Sequence, residues 1–235
     1  VRIERFVVLK DGGNVFPCEI VYPEQHMFAD PNSIGKQTYN AVPDYIQRTV
    51  LPHSSVIEKD YTWFFSKDKE LSLQNALMKS EKVLFLSDAG QGKSIEMENL
   101  AHNLSGTMYF PYLFKLRNYT GTTIDALLPS KYSEVPPHYL VLLFDGYDEL
   151  PVEYKKLFEN YLNLYVENNT GVQIIVSSRS NFCKSENDNE SRTFPGFQIY
   201  DLRELSKENI DSYLQLHGID SKQFISEAHR VGIYN

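Results

Sequence analysis

Cysteine is scarce in this 235-residue chain: Cys18 and Cys183 are the only two, far apart and in no C-x-x-C or Cys/His spacing. That argues against a disulfide framework or a zinc site and points to a reducing compartment. The six histidines (His26, His53, His102, His138, His217 and His229) fall in no metal-ligand or triad spacing. No apolar run is long enough to span a bilayer, and no basic start precedes a signal-type apolar segment, so the expected location is cytoplasmic. Basic residues are outnumbered, 23 against 31 acidic, for a formal charge of −8 and no run of Lys/Arg. This disfavours a nucleic-acid surface. Internal repeats are absent as well. What is there is an ordinary globular composition, 42% hydrophobic and 23% charged, on a chain able to bury a substantial core.

The first 60 residues read as a small β-rich extension. Residues 2–9 and 15–22 are β-rich runs around Asp11-Gly12-Gly13-Asn14, a hairpin signature. Residues 23–43 are turn-rich and read as a loop or linker. The aromatic cluster over 61–65 reads as a packing patch. A helix containing Leu71, Leu73, Ala76 and Leu77 leads to Ser80.

From residue 83 strands and helices alternate. Strands are expected over 83–86, 108–116, 139–144, 172–177 and 197–202, and Pro111 suits an edge position for the second of them. The run 139–144 is almost wholly apolar, as in a central parallel strand covered on both faces. Helices are expected over 92–105, with Ile95, Leu100, Ala101 and Leu104 inward, and over 124–128. A further helix over 152–166 would place Tyr154, Leu157, Tyr161 and Leu164 inward. Ser206 is an N-cap candidate for a last helix with Ile210, Tyr213 and Leu214 on its inner face. The polar stretch 184–192 reads as an exposed loop. The alternation predicts an α/β domain built on a mostly parallel five-stranded sheet.

Three strand ends carry chemistry. The first is VLFLSDAGQGKS over residues 83–94, a strand that breaks into a glycine-containing loop and enters a helix. It has the form of the phosphate-binding pattern G-x-x-x-x-G-K-[ST], with Ser87 in place of the first glycine. Backbone N–H groups of Ser87, Asp88, Ala89, Gly90, Gln91 and Gly92 and the positive end of the helix would face anionic phosphates. Lys93 would add a mobile point charge, and Ser94 Oγ would be a magnesium ligand. The second is YLVLLFDGYDEL over 139–150, where an apolar strand ends in Asp145, a candidate magnesium carboxylate. Asp148 and Glu149 follow and are candidates to orient or deprotonate an attacking water, with a slight preference for Asp148; acidic residues also simply favour a helix start. The third is VQIIVSSR over 172–179, whose Arg179 is suited to sensing a γ-phosphate.

Taken together, the Ser87–Ser94 loop, the Asp145-Gly146-Tyr147-Asp148-Glu149 strand end and the Ser177-Ser178-Arg179 strand end resemble the NACHT domain, a branch of the STAND class of signal-transducing phosphate-loop ATPases. The D-G-x-D-E form is the most specific of the three. The run FPYLFKLR over 110–117 resembles the family's second strand, and residues 202–214 resemble the entry to its helical lid. The resemblance covers residues 45–217. It implies a three-layer phosphate-loop core over 61–205 and the beginning of a lid over 206–235. It also implies that Tyr45 and Arg48 lie against the nucleotide base, although a capping or core role fits them equally.

ATP with Mg²⁺ is the implied cofactor, preferred to GTP because no guanine-reading N-K-x-D motif is present. The family's proline-containing lid motif and winged helix do not occur before Asn235. The resemblance therefore implies a piece of a longer, bacterial-type protein with effector and sensor domains, self-associating on nucleotide exchange in innate immunity or antiphage defence. The alternative is a nucleotide-binding scaffold with little turnover that works through partner association. A metabolic kinase is disfavoured, since nothing resembles an acceptor-binding insertion.

Overall fold

The computed structural model describes residues 3–9, 15–21, 34–53, 70–182 and 193–230. The turn at 11–14, the aromatic cluster at 61–65, the polar stretch 184–192 and most of the expected linker lie outside them. The chain divides into two compact units. One comprises Val1–Lys36 with Pro129–Val135. In it β1 (Ile3–Leu9) and β2 (Val15–Val21) pair antiparallel from Ile3↔Val21 to Leu9↔Val15, as the sequence predicts for a hairpin.

The other unit, Gln37–Leu128 with Pro136–Asn235, is α/β. Its strands are β3 (Val50–Pro52), β4 (Lys82–Ser87), β5 (Phe110–Lys115), β6 (Leu140–Asp145), β7 (Gln173–Arg179) and β8 (Gln198–Leu202). Its helices are α1 (Leu73–Ser80), α2 (Lys93–Ser105), α3 (Ile124–Leu127), α4 (Val152–Asn168), α5 (Lys207–Leu216) and α6 (Ser221–Arg230). The sheet runs β3-β8-β4-β7-β6-β5, and every pairing is parallel except β3 with β8. It therefore has six strands rather than the five expected. The extra one, β3, is three residues long, too short for any periodicity to betray it. β5 is an edge strand, as Pro111 requires.

Alternation along the buried strands feeds two apolar faces. Val83, Phe85, Val141, Leu143 and Ile175 join Leu73 and Leu77 of α1 and Met97, Leu100 and Leu104 of α2 in one core cluster. On the other face Phe144 packs edge-on against Phe158 of α4, which also meets Tyr119. The sheet is thus covered on both sides.

Three helix faces differ from expectation. In α2 Ile95 is exposed, and Glu96 and Met97 turn inward with Leu100, Ala101 and Leu104. In α4 the buried stripe is Phe158, Leu162 and Tyr165, while Tyr154, Leu157 and Tyr161 are half-buried and Leu164 faces solvent. Both stripes of α4 satisfy helical spacing, and the aromatic contact of Phe158 with Phe144 selects between them. In α5 Leu214 is buried, Ile210 half-buried and Tyr213 largely exposed. Ser206 caps α5 with a reciprocal Asn209 bond.

From β4 the chain leaps to the far edge, returns through β6 and β7, then crosses β4 to reach β8. The connections after β4 and β7 thus leave in opposite directions. At such a reversal a crevice opens outside the carboxyl ends of the strands, where open α/β sheets bind ligands.

Candidate functional site

Register brings the predicted strand ends to this one edge. Ser87 pairs with Arg179 across β4 and β7, and Lys115 pairs with Asp145 across β5 and β6. The loop from Ser87 to Gly92 leads into the 13-residue α2. Its left-handed positions are Gly90 (φ +75°) and Gly92 (φ +87°), the conformation that glycine alone adopts without strain. Ser87 is not among the positive-φ residues: it ends β4, is buried, and donates its Oγ to Asp88 O at 3.2 Å. The serine that departs from the phosphate-loop pattern therefore strains nothing.

Asp88, Ala89, Gly90 and Ser94 are exposed, so the mouth of the loop is open. Gln91 Oε1 accepts the Asp88 N–H at 3.1 Å. Lys93 Nζ folds back to 3.5 Å from both Ser87 O and Asp88 O.

Asp145 is buried at the end of β6. Its Oδ1 accepts Ser177 Oγ at 2.7 Å, and its Oδ2 meets Lys115 Nζ at 3.0 Å. Ser177 Oγ in turn accepts the Gly146 N–H at 2.8 Å. Lys115 also bonds Glu98 at 2.7 Å. Burial pulls the Lys115 ammonium down, but the two carboxylates outweigh burial and its pKa ends above the ordinary lysine value.

Asp148 is clasped by Arg179: Nε lies 2.7 Å from Oδ2, and the Arg179 backbone N–H donates to Oδ1 at 3.1 Å. The Asp148 side chain is 3% exposed and that of Arg179 45%. Glu149 is exposed and lies over Gly146 (φ +83°), where a Cβ would come within 3.4 Å of its carboxylate.

On the other side of the loop, Arg48 donates to Gln91 O and to Arg203 O. Tyr45 Oη donates to Glu96 Oε2 at 2.8 Å. Burial raises the Glu96 carboxyl, against the pull of the Tyr45 hydroxyl and Arg48. Burial also raises the Tyr45 phenol, with Glu96 adding to it. A cavity of about 670 Å³ opens here between Tyr45, Ile46, Gly90, Gly92 and Ile95. A larger one of about 1030 Å³ reaches Ser87 and Asp88 and carries Glu70, Asp201, Glu204 and Glu208 on its walls. Arg48, Gln91, Glu204 and Leu205 line both.

Ser94 Oγ and the Asp145 carboxylate are hard oxygen donors. Among the described residues no group of three His, Cys, Asp or Glu side chains could cage a metal. Ser94 and Asp145 are donors of the kind that Mg²⁺ takes one or two of, completing its shell from phosphate and water, and both Asp145 oxygens are engaged by Ser177 and Lys115. Lys115, Ser177, Glu96 and Glu98 were not among the candidates read from the sequence. The available signals were a lysine ending the apolar β5 and the Ser177-Ser178 pair ending the apolar run of β7. Among the described residues no helix is long and apolar enough to cross a membrane.

Compared with protein-family models and with curated proteins, the chain gives no match.

Proposed function

We propose that this chain is the three-layer nucleotide-binding core of a NACHT-like STAND ATPase. The carrying observation is the gathering of Ser87, Asp145 and Arg179 at one sheet edge, beside a loop with left-handed Gly90 and Gly92 that opens α2. Backbone N–H groups of the loop and the start of α2 would cradle the phosphates, and Lys93 would swing from its two carbonyls onto them. The cavity beside Tyr45 and Ile95 suits the base and sugar.

Ser94 and Asp145 would hold Mg²⁺, which would neutralise charge on the transferred phosphoryl group. Glu149, exposed at the same edge, is better placed to orient water than Asp148, whose carboxylate is already held by Arg179. Arg179 would then report the γ-phosphate through the rest of its guanidinium while fixing Asp148. By the resemblance, nucleotide exchange would drive self-association and effector release in innate immunity or antiphage defence.

Fluorescent-nucleotide titration tests the reading. Lys93→Ala should weaken ATP binding by roughly tenfold or more, the effect of one lost charge-assisted contact. Equal binding by both proteins would refute nucleotide recognition. Glu149→Gln should keep ATP affinity and lower phosphate release about 100-fold, a common contribution of general-base catalysis. A second reading, nucleotide held without turnover, is favoured by the ion pair that already occupies Asp145. Phosphate release no faster than dissociation of intact nucleotide would support it.

A further inference from the structure

The carboxylate proposed for magnesium already has a cation. Lys115 Nζ bridges Asp145 Oδ2 at 3.0 Å and Glu98 Oε1 at 2.7 Å. These groups come from three elements: Lys115 ends β5, Asp145 ends β6, and Glu98 lies on α2. Glu98 is four residues after Ser94, so both sit on the same face of α2 one turn apart. The bridge therefore runs along the face that presents Ser94, and it claims one of the two Asp145 oxygens. The other is held by the fully buried Ser177.

We infer that Lys115 is a resident counter-cation which a divalent ion must displace from Asp145, with Glu98 as the acceptor that retains it afterwards. A bare carboxylate at this depth is strongly disfavoured unless it is paired. Lys115 provides that pairing while the metal is away. Glu98, with a side chain 44% exposed, gives the ammonium a half-solvated partner to fall back on. Metal entry thus becomes an exchange of one cation for another, and the lysine sets how much free divalent ion the site demands. The inference rests on the nucleotide-site reading proposed above.

The experiment measures Mn²⁺ affinity by the free-ion electron paramagnetic resonance signal, on protein saturated with ADP. ADP binding is first established in EDTA. Lys115→Met should tighten Mn²⁺ at least about fivefold, the factor that a unit charge some 4 Å away retains even under water-like screening. Lys115→Gln keeps a donor toward Asp145 without the charge, and should do the same if the Met variant folds poorly. Glu98→Gln should weaken Mn²⁺ about twofold or more in the wild-type background, by leaving Lys115 with Asp145 as its one carboxylate partner. It should have little effect when combined with Lys115→Met.

Unchanged or weaker Mn²⁺ binding in both lysine variants overturns the inference. So does a Glu98→Gln effect that persists undiminished without Lys115, since Glu98 would then act directly on the ion. Absence of ADP binding both in EDTA and in saturating Mn²⁺ would overturn the nucleotide reading and this inference together. ADP binding with unaltered Mn²⁺ affinities would overturn this inference alone.

Discussion

Replacing Ser177 by alanine would strike the joint between β6 and β7. Its fully buried hydroxyl donates to Asp145 Oδ1 at 2.7 Å and accepts the Gly146 N–H at 2.8 Å. Alanine deletes a hydrogen bond to a carboxylate, about 1.5–3 kcal/mol, and strands a buried amide, about 1–3 kcal/mol. The lower ends give at least about 2.5 kcal/mol. For a chain of this size each kcal/mol shifts Tm by roughly 2–4 °C, so the expected fall is about 5–10 °C.

Ser178 is the internal control. It is equally buried and neighbours Ser177, but among the described residues its hydroxyl bonds only the Arg179 carbonyl, at 3.3 Å. Ser178→Ala should cost about 1 kcal/mol, the net contribution of an ordinary hydrogen bond. Thermal unfolding followed by circular dichroism, repeated in urea, measures both. Equal losses in the two variants would refute the argument, because burial alone would then explain them. The same substitution frees one Asp145 oxygen from its orienting donor, so Mn²⁺ affinity should fall in Ser177→Ala and not in Ser178→Ala.

Gly92→Ala should destabilise by about 1–2 kcal/mol, the cost of a left-handed backbone with a Cβ, at φ +87° and 3.4 Å from the Arg48 guanidinium. Gly90→Ala meets the backbone cost with open space around it, so the difference between the two Tm shifts isolates the Arg48 contact. For Glu96, burial raises the folded-state pKa above its unfolded value, so the folded protein binds the extra proton. Its contribution to stability is therefore fully present below the ordinary carboxylate pKa, near 4.3, and is lost as pH climbs through the raised value. Glu96→Gln should flatten that part of the stability profile in denaturation series across mildly acidic pH, and a profile parallel to wild type would exclude Glu96 as its source.

Much of the main unit could be read from residues alone because its strands announce their own ends. In β6 an uninterrupted apolar run stops at Asp145, and in β7 it stops at Ser177-Ser178-Arg179, so sequence order predicts which side chains emerge at the sheet edge. β3 escaped because three residues carry no period, and its place beside β8 is a long-range pairing. Helix faces were harder. Ile95 has the hydrophobicity of a core residue yet lies beside the loop, on the wall of the smaller cavity, while the buried position next to it holds Glu96. A carboxylate is acceptable there because Tyr45, 51 residues upstream, supplies its hydrogen bond. Nothing local to α2 reveals that partner. Lys115 was missed for the same reason: its two carboxylates come from different elements, Asp145 brought to it by strand register and Glu98 by the packing of α2 on the sheet.

The cations at this edge differ in how firmly the protein itself holds them, and that ordering implies a sequence of events for an incoming polyanion. Arg179 is tied to Asp148 by an ion pair of 2.7 Å and a backbone bond to the same carboxylate. Lys115 is shared by two carboxylates at 2.7 and 3.0 Å. Lys93 rests on two neutral carbonyls at 3.5 Å, the outer limit of a hydrogen bond. Moving Lys93 sacrifices the least, so phosphate should recruit it first. Lys115 should yield to a divalent ion that brings twice its charge. Arg179 should move last or not at all, because displacing it would leave Asp148 buried without a counter-charge. Under the proposed nucleotide reading, an arginine so anchored would be a poor first contact for nucleotide, and would meet the γ-phosphate through the rest of its guanidinium while keeping Asp148.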